Sequence, residues 1–220
     1  MIAFVVALKK EAQILLEKVE NLKEFKLADK PCYSFTLNAK DCVLAISGVG
    51  KVSASLTTQL LIDKYSPQYI INFGTCGGTN SNVEILNFYL VDKCCQYDFD
   101  LTPIDDVPLG YIQEYDRVYF DTFTNGLDFL QKRSIASADK FTCKQTDIDI
   151  INDLGCSMCD FEAGAVVQVC TSNSVPAIIV KAISDVFGSG SQPEQFSKNL
   201  MIISEKFPSV ISKLIDNINF

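Results

Sequence analysis

The chain has 220 residues, 48% hydrophobic and 21% charged, which is enough for one well-buried domain and too apolar for extended disorder. Its formal net charge is −8, with 19 Lys and Arg against 27 Asp and Glu. That balance excludes the concentrated basic surface that a nucleic-acid partner needs, and leaves a small uncharged or cationic ligand open.

Residues 2 to 7 read as a buried strand and Lys9 to Val19 as an amphipathic helix with Ala12, Leu15, Leu16 and Val19 on one side. Glu11 lies in that helix's first turn, where the helix dipole alone favours an acid. Residues 31 to 37 and 41 to 46 flank Asn38-Ala39-Lys40-Asp41 as a hairpin. Ser47-Gly48-Val49-Gly50-Lys51 then joins a strand to a helix carrying Leu56, Leu60 and Leu61. Glycines there turn backbone N–H groups toward an anion at a helix N-terminus, or simply make a tight turn. A strand at 69 to 73 leads into a second such turn, Gly74-Thr75-Cys76-Gly77-Gly78, and two glycine turns at strand carboxyl ends point to one cleft.

Further strands are expected at 85 to 91 and 94 to 97, followed by a long surface loop carrying Asp98, Asp100, Pro103 and Pro108. A helix over 121 to 132 and a short strand over 134 to 138 come next. Phe141, just past that strand, is either core or a stacking platform for a planar ligand. Glu162 starts a helix whose first residues, Ala163 to Val167, form a small apolar face, so its carboxylate needs a partner. The run Ile178 to Ile183, broken only by Lys181, fits a strand buried on both faces. Asp185 follows it at the carboxyl edge, where open α/β sheets bind ligands. The last helix spans about 193 to 218 and is expected to break at Pro208.

Nothing in the chain has the length of a transmembrane helix, and the apolar stretch at its start precedes Lys9 and Lys10 instead of following a positive charge, unlike a secretory leader. A cytoplasmic protein with no membrane partner is the expectation. Nine cysteines, an odd number, then read as reduced thiols. Cys156-x-x-Cys159 stands alone in a chain without histidine, too little for a zinc site, so neither metal nor cofactor is expected.

Taken together, Ala7-Leu8-x-x-Glu11, the Ser47 to Lys51 turn, Ile71-Asn72-Phe73-Gly74-Thr75-Cys76-Gly77-Gly78, Phe161-Glu162-Ala163 and Ala182-Ile183-Ser184-Asp185 resemble, in this order, the motifs of the nucleoside phosphorylase superfamily. Within it the chain looks most like the 5'-methylthioadenosine/S-adenosylhomocysteine nucleosidases, from residue 1 to about 215. The resemblance implies a single α/β domain over residues 1–220, with a central mixed, twisted β-sheet flanked by helices. It also implies hydrolysis of an N-ribosidic bond to adenine. Asp185, held by Ser184, would protonate the leaving base, Glu162 would bind the ribose hydroxyls, and Glu11 would activate water from the opposite side, as in an inverting glycosidase. Phe141 and Thr142 would hold the base, Thr75 would sit near the nucleophile, and Ala7, Leu8, Val49 and Phe161 would line the sugar and 5' region.

The pattern departs from the family in places. Phe161 stands where methionine is usual, Lys181 where arginine is common, and the segment from Phe187 to Pro193 is shorter than the usual loop, leaving the 5' aromatic unplaced. Leu101 falls near another pocket position. A phosphorylase branch would carry arginines at the position of Asn72 and near the first strand, because phosphate asks for paired guanidinium donors. Here only Lys9 and Lys10 are near that strand, so water is the expected nucleophile. A phosphate-dependent purine nucleoside phosphorylase and a non-catalytic nucleoside-binding or storage relative are the alternatives. The apolar first strand, the loop at 98 to 110 and the family's habit suggest a homodimer.

Overall fold

The computed structural model describes residues 1–218. Strand β1 (Ile2–Val6) is buried along its whole length, as an unbroken apolar run in a central parallel position should be. On one side it pairs in parallel with β4 (Lys40–Ile46), and on the other with β5 (Tyr69–Gly78). Beyond β4 the sheet continues antiparallel through β3 (Lys30–Leu37) to β2 (Glu20–Leu27) at its edge. Beyond β5 lie β6 (Phe88–Gln96), β7 (Phe120–Asp121), β8 (Gln131–Ser137), β9 (Met158–Asp160) and β10 (Ala177–Val186), making ten strands among the described residues.

The sheet does not stay open as the sequence suggested. β5 pairs with both β10 and β9, β10 pairs with β6, β6 with β8 and β8 with β9, so five strands close a ring of pairings. β10 pairs with β6 over Val180 to Ala182 while in register with β5, and its pairing with β5 then shifts at a bulge between Ile183 and Asp185. Helices cover both faces. α1 (Lys9–Leu16) and α5 (Gln192–Asn217) lie over the core containing Phe4, Phe73, Phe207 and Ile211. α2 (Lys51–Tyr65) and α4 (Ala163–Ser172) lie over the core of Val5, Ile70, Val91 and Val166. α3 (Gln145–Asp153) sits beside the smaller cluster of Tyr97, Ile151 and Cys156. The expected single α/β domain with a mixed sheet is what the chain forms, and no helix among the described residues is long and apolar enough to cross a membrane.

Several elements differ from the expectation. No helix forms at 121 to 132: Gly126 takes φ +77°, Leu127 and Phe129 turn into the core, and Gln131 already pairs with Tyr89. Residues 74 to 78 continue β5 instead of turning. β6 is one strand with a register shift between Val91 and Cys94, where two strands were expected. β2 is nearly all exposed, so it carries no apolar alternation to announce it. The short α3 and β9 also went unread. α5 runs through Pro208, whose flanking Phe207 and Ile211 are fully buried and hold the helix together across the missing N–H.

Candidate active site

The bulge in β10 is what lets two consecutive residues serve one place. In a regular strand Ser184 and Asp185 would point to opposite faces. The extra residue re-aims them, so that both line one cavity of about 200 Å³. Ser184 Oγ donates to Asp185 Oδ1 at 2.6 Å, with the Cys76 carbonyl 3.2 Å away as its alternative acceptor. Gln192 Nε2, from the first turn of α5, donates to Asp185 Oδ2 at 2.9 Å. Burial pushes the Asp185 carboxyl above the usual range, and the two donors only partly pull it back.

Across the cavity, Glu11 reaches out of the first turn of α1 and takes three hydrogen bonds. Thr75 donates twice to Oε1, from its backbone N at 2.7 Å and its hydroxyl at 2.8 Å, and Leu8 N donates to Oε2 at 3.1 Å. The last is half of a capping box, so the dipole reading of this acid is correct as local structure. Dipole preference does not explain why the side chain is 3% exposed and pinned from a second strand. Burial raises its pKa, opposed by the Thr75 and Leu8 N–H groups and by the charge of Lys181.

Glu162 is the N-cap residue of α4 and accepts from Gly50 N at 3.1 Å. Next to it Lys51 N, in the first turn of α2, donates to Asp139 Oδ1 at 2.8 Å. The Ser47 to Lys51 segment is therefore a true turn, with Gly48 and Gly50 at φ +82° and +101°. Its anion-seeking N–H groups are directed at the protein's own carboxylates. Burial lifts the Glu162 carboxyl to about 7, against the pull of Lys181 and of the Gly50 N–H.

One buried cation serves all of this. Lys181, 1% exposed in the middle of β10, pairs with Asp160 Oδ2 at 2.8 Å. Burial alone would lower its pKa, but the charges of Asp160, Glu162 and Glu11 outweigh it and hold the ammonium charged. Asp160 is further bound by Ser137 Oγ at 2.5 Å and Ala163 N at 3.0 Å. A Lys at this position thus meets a fully satisfied carboxylate, as a buried charge must.

The same cavity brings together Ala7, Leu8, Glu11, Val49, Thr75, Phe141, Thr142, Phe161, Glu162, Ser184 and Asp185, all those given a role in the sequence. Thr142 is buried and its hydroxyl meets Tyr97 Oη at 2.6 Å, whereas Phe141 and Val49 are about half exposed at the rim. Leu101 is elsewhere, in a separate hollow with Asp105 and Tyr111. The 98 to 110 loop is tied to the rim at its start, where Asp98 takes bonds from Lys51 Nζ at 2.6 Å and Asp139 N at 2.9 Å.

Sequence reasoning missed Gln192, Phe196, Lys140, Cys76, Cys159 and Asp160, all of which line the cavity. Asp160 carried a readable signal, an acid two residues before Glu162. Gln192 and Phe196 carried none, because the shortened loop before α5 hid which residues turn inward. The Cys76 and Cys159 thiols are pushed up by burial, Cys159 to about 12, and stay protonated. All nine cysteines are free, and all but Cys143 are buried.

Glycine at 74, 77 and 78 is needed for room, not for a turn. A Cβ on Gly74 would stand 2.9 Å from Glu11 Oε1, and one on Gly77 would stand 3.1 Å from Cys159 Sγ. On Gly78 it would meet Val83 Cγ2 at 2.8 Å.

A partly closed mixed sheet with buried carboxylates around one cavity defines a protein of the nucleoside phosphorylase and nucleosidase class. The chain belongs to the phosphorylase superfamily, whose family model matches residues 1–216. It is similar to the 5'-methylthioadenosine/S-adenosylhomocysteine nucleosidase of Hydrogenovibrio crunogenus, 32% identical over 200 residues, covering 85% of this chain and 86% of the relative. The nucleosidase of the same description from Buchnera aphidicola subsp. Schizaphis graminum is 31% identical over 231 residues, 99% of this chain and 97% of the relative. Among solved structures, the fold matches futalosine hydrolase of Helicobacter pylori at a TM-score of 0.90 and 23% identity, covering 99% of this chain and 97% of that one. It matches the Helicobacter pylori methylthioadenosine/S-adenosylhomocysteine nucleosidase bound to butyl-thio-DADMe-Immucillin-A equally well, at 0.90 and 22% identity, covering 99% and 98%.

Proposed function

We propose that the protein hydrolyses the N-ribosidic bond of 5'-methylthioadenosine, S-adenosylhomocysteine or a related adenine nucleoside, releasing adenine and the 5'-substituted ribose. The observation that carries this reading is the placement of Glu11, Glu162 and Asp185, each nearly buried, around one cavity. Breaking the bond requires a proton on the departing base, stabilisation of a cationic sugar, and a nucleophile on the other face. Asp185, whose buried carboxyl keeps its proton to higher pH than a free acid, is the donor to the base. Glu162 accepts from the ribose hydroxyls, which grow more acidic as the sugar becomes cationic. Glu11, fixed by three N–H and O–H donors, takes the proton from the attacking water. Ser184 orients Asp185, Thr75 orients Glu11, and Phe141 stacks on the base from the rim. Ala7, Leu8, Val49 and Phe161 enclose the sugar and its 5' group, and Phe196 supplies the aromatic wall that the short loop had left unplaced.

Water is favoured over phosphate by what surrounds the candidate cations. Lys9, one of the two lysines near the first strand, extends over the Tyr33 ring, 5.6 Å from its centroid, and neither Lys9 nor Lys10 lines the cavity. Asn72 turns its amide to the Val5 carbonyl at 2.8 Å. Lys140 does line the cavity, but its ammonium is paired with Asp147 at 2.7 Å. The test is adenine release from methylthioadenosine in phosphate-free buffer and in phosphate. Equal rates are expected, and strict dependence on phosphate would transfer the protein to the phosphorylase reading. A panel of methylthioadenosine, S-adenosylhomocysteine, adenosine, inosine and futalosine fixes the substrate, and no turnover of any would leave a binding or storage role.

A homodimer remains part of this reading, on altered grounds. β1 lies at the centre of the sheet and cannot form an interface. The exposed Val52 and Leu56 on α2, close to Val49 at the cavity rim, and Ile104 in the 98 to 110 loop are the apolar surface that supports it. Light scattering of the purified chain measures the assembly directly.

A further inference from the structure

Three stretches far apart in the chain are joined at the cavity rim by a triangle of hydrogen bonds that the hydrolytic mechanism does not use. Lys51 N, in the first turn of α2, donates to Asp139 Oδ1 at 2.8 Å. Asp139 N, just past β8, donates to Asp98 Oδ2 at 2.9 Å. Lys51 Nζ closes the figure on Asp98 Oδ1 at 2.6 Å. Both oxygens of Asp98 are thereby engaged, each by a different stretch. The three pairs are separated by 41, 47 and 88 residues in sequence, so no local element holds them together. The triangle abuts the site through Gly50, whose N–H is the hydrogen-bond donor to Glu162 Oε1 at 3.1 Å. Gly50 takes φ +101°, and a Cβ there would stand 3.1 Å from Asp139 Oδ1, so Asp139 lies directly against the residue that feeds Glu162.

We propose that Lys51 and Asp98 are positioning residues: by closing the triangle they hold Gly50 N against Glu162 and so set where that carboxylate meets the sugar. The inference rests on the reading above that Glu162 binds the ribose of a nucleoside. A partly exposed ion pair contributes little to stability by itself, so Lys51 and Asp98 matter here through what they fix and not through the strength of the pair. Without the ammonium, the turn is tied to Asp139 by the Lys51 N bond alone and is free to pivot about it. The disturbance reaches the sugar end and stops short of the base. Asp185 is held by Ser184 and Gln192, outside the triangle, and Thr142 is held separately by Tyr97 Oη at 2.6 Å.

The test is titration calorimetry of free adenine and of a C-nucleoside of an adenine-like base, which has no N-ribosidic bond to cleave, against the wild-type chain, Lys51→Met, Lys51→Arg and Asp98→Asn. Lys51→Met removes the ammonium and leaves the backbone bond to Asp139, and Asp98→Asn leaves one oxygen for two donors without a change of shape. Both are expected to weaken the C-nucleoside about tenfold, as a displaced contact does, while adenine binding moves by no more than about threefold. Lys51→Arg, which can still reach Asp98, is expected to stay near the wild type. In a Glu162→Ala background the Lys51→Met loss should disappear, because two changes that act through one group do not add. Equal weakening of both ligands, no weakening of either, or an undiminished loss in the Glu162→Ala background overturns the inference, and Asp98→Asn decides it alone should Lys51→Met not fold. A wild type that leaves methylthioadenosine intact, with a loss confined to the C-nucleoside in the variants, would overturn the hydrolase reading and leave the positioning role standing. Adenine release by the wild type with no such loss in the variants would do the reverse.

Discussion

The two ends of the cavity hold their carboxylates by different means. Glu11 is fixed largely by main chain, through Leu8 N and Thr75 N with the Thr75 hydroxyl beside them, so its position follows from the register of β1, α1 and β5. Asp185 is fixed by side chains, Ser184 from the β10 bulge and Gln192 from α5. Three donors, two of them backbone amides, favour an ionised group that can take up a proton. At Asp185 two side-chain donors stand in their place, and burial pushes both carboxyls above their ordinary range. The proposed chemistry asks for a base at the first and an acid at the second, so the two assignments are tested separately.

The largest effect should come from removing the acid's proton. Asp185→Asn preserves the shape and can still accept from Ser184, but has no acidic proton to give. A loss of about 10³-fold in kcat/KM for methylthioadenosine is expected, within the usual range for a general acid, with thermal stability near that of the wild type. Activity within tenfold of the wild type would show that Asp185 is not the proton donor. In the wild type, activity should fall as pH rises through the raised pKa of Asp185 and as it falls through that of Glu11.

This asymmetry also accounts for what could be read before the fold was seen. Glu11, Glu162 and Asp185 each sit next to a strand end or helix start, where a carboxylate on an apolar element needs a reason. The Asp185 clamp is different. Gln192 follows a glycine-rich loop, and nothing in local pattern shows that α5 turns this amide inward while leaving its neighbour Pro193 exposed. The bulge at Ile183 and Asp185 is likewise invisible to a period-two reading, which would send Ser184 and Asp185 to opposite faces. The glycines of β5 were misread for a related reason. Gly-rich composition signals a turn or a close approach equally well, and only the packing of Glu11, Cys159 and Val83 against the strand shows which.

Glu162 lies between the two ends and tests the cost of burial itself. Its folded pKa of about 7 is above the ordinary 4.5. Stability from burying the protonated form is therefore fully present below about 4.5 and is lost as pH rises through about 7. Glu162→Gln removes this titration while keeping an oxygen for Gly50 N. The variant should be more stable than the wild type at pH 8 by on the order of 3 kcal/mol, with the gap closing toward pH 4.5. Urea midpoints at the two pH values measure it, and an equal gap at both would mean that Glu162 does not titrate in this window.

The smallest effect discriminates most finely between function and packing on a single strand. In Gly74→Ala the atoms nearest the new Cβ all belong to the Glu11 carboxylate, its two oxygens at 2.9 and 3.1 Å, so the side chain must shift by a few tenths of an ångström. A displaced base should lower kcat/KM about tenfold, since an error of about 1 Å can cost about 10²-fold. In Gly78→Ala the Cβ meets Val83 Cγ2 and Val186 Cγ2 at 2.8 and 2.9 Å, with no carboxylate among its nearest atoms. That change should cost about 1–3 kcal/mol of stability by overpacking, while leaving the rate of folded enzyme within a few-fold of the wild type. The paired measurement of kcat/KM and urea midpoint separates the two. If Gly74→Ala lost stability and kept its rate, the tight seat of Glu11 against β5 would be a packing feature, and the water-activating role would have to pass to another group.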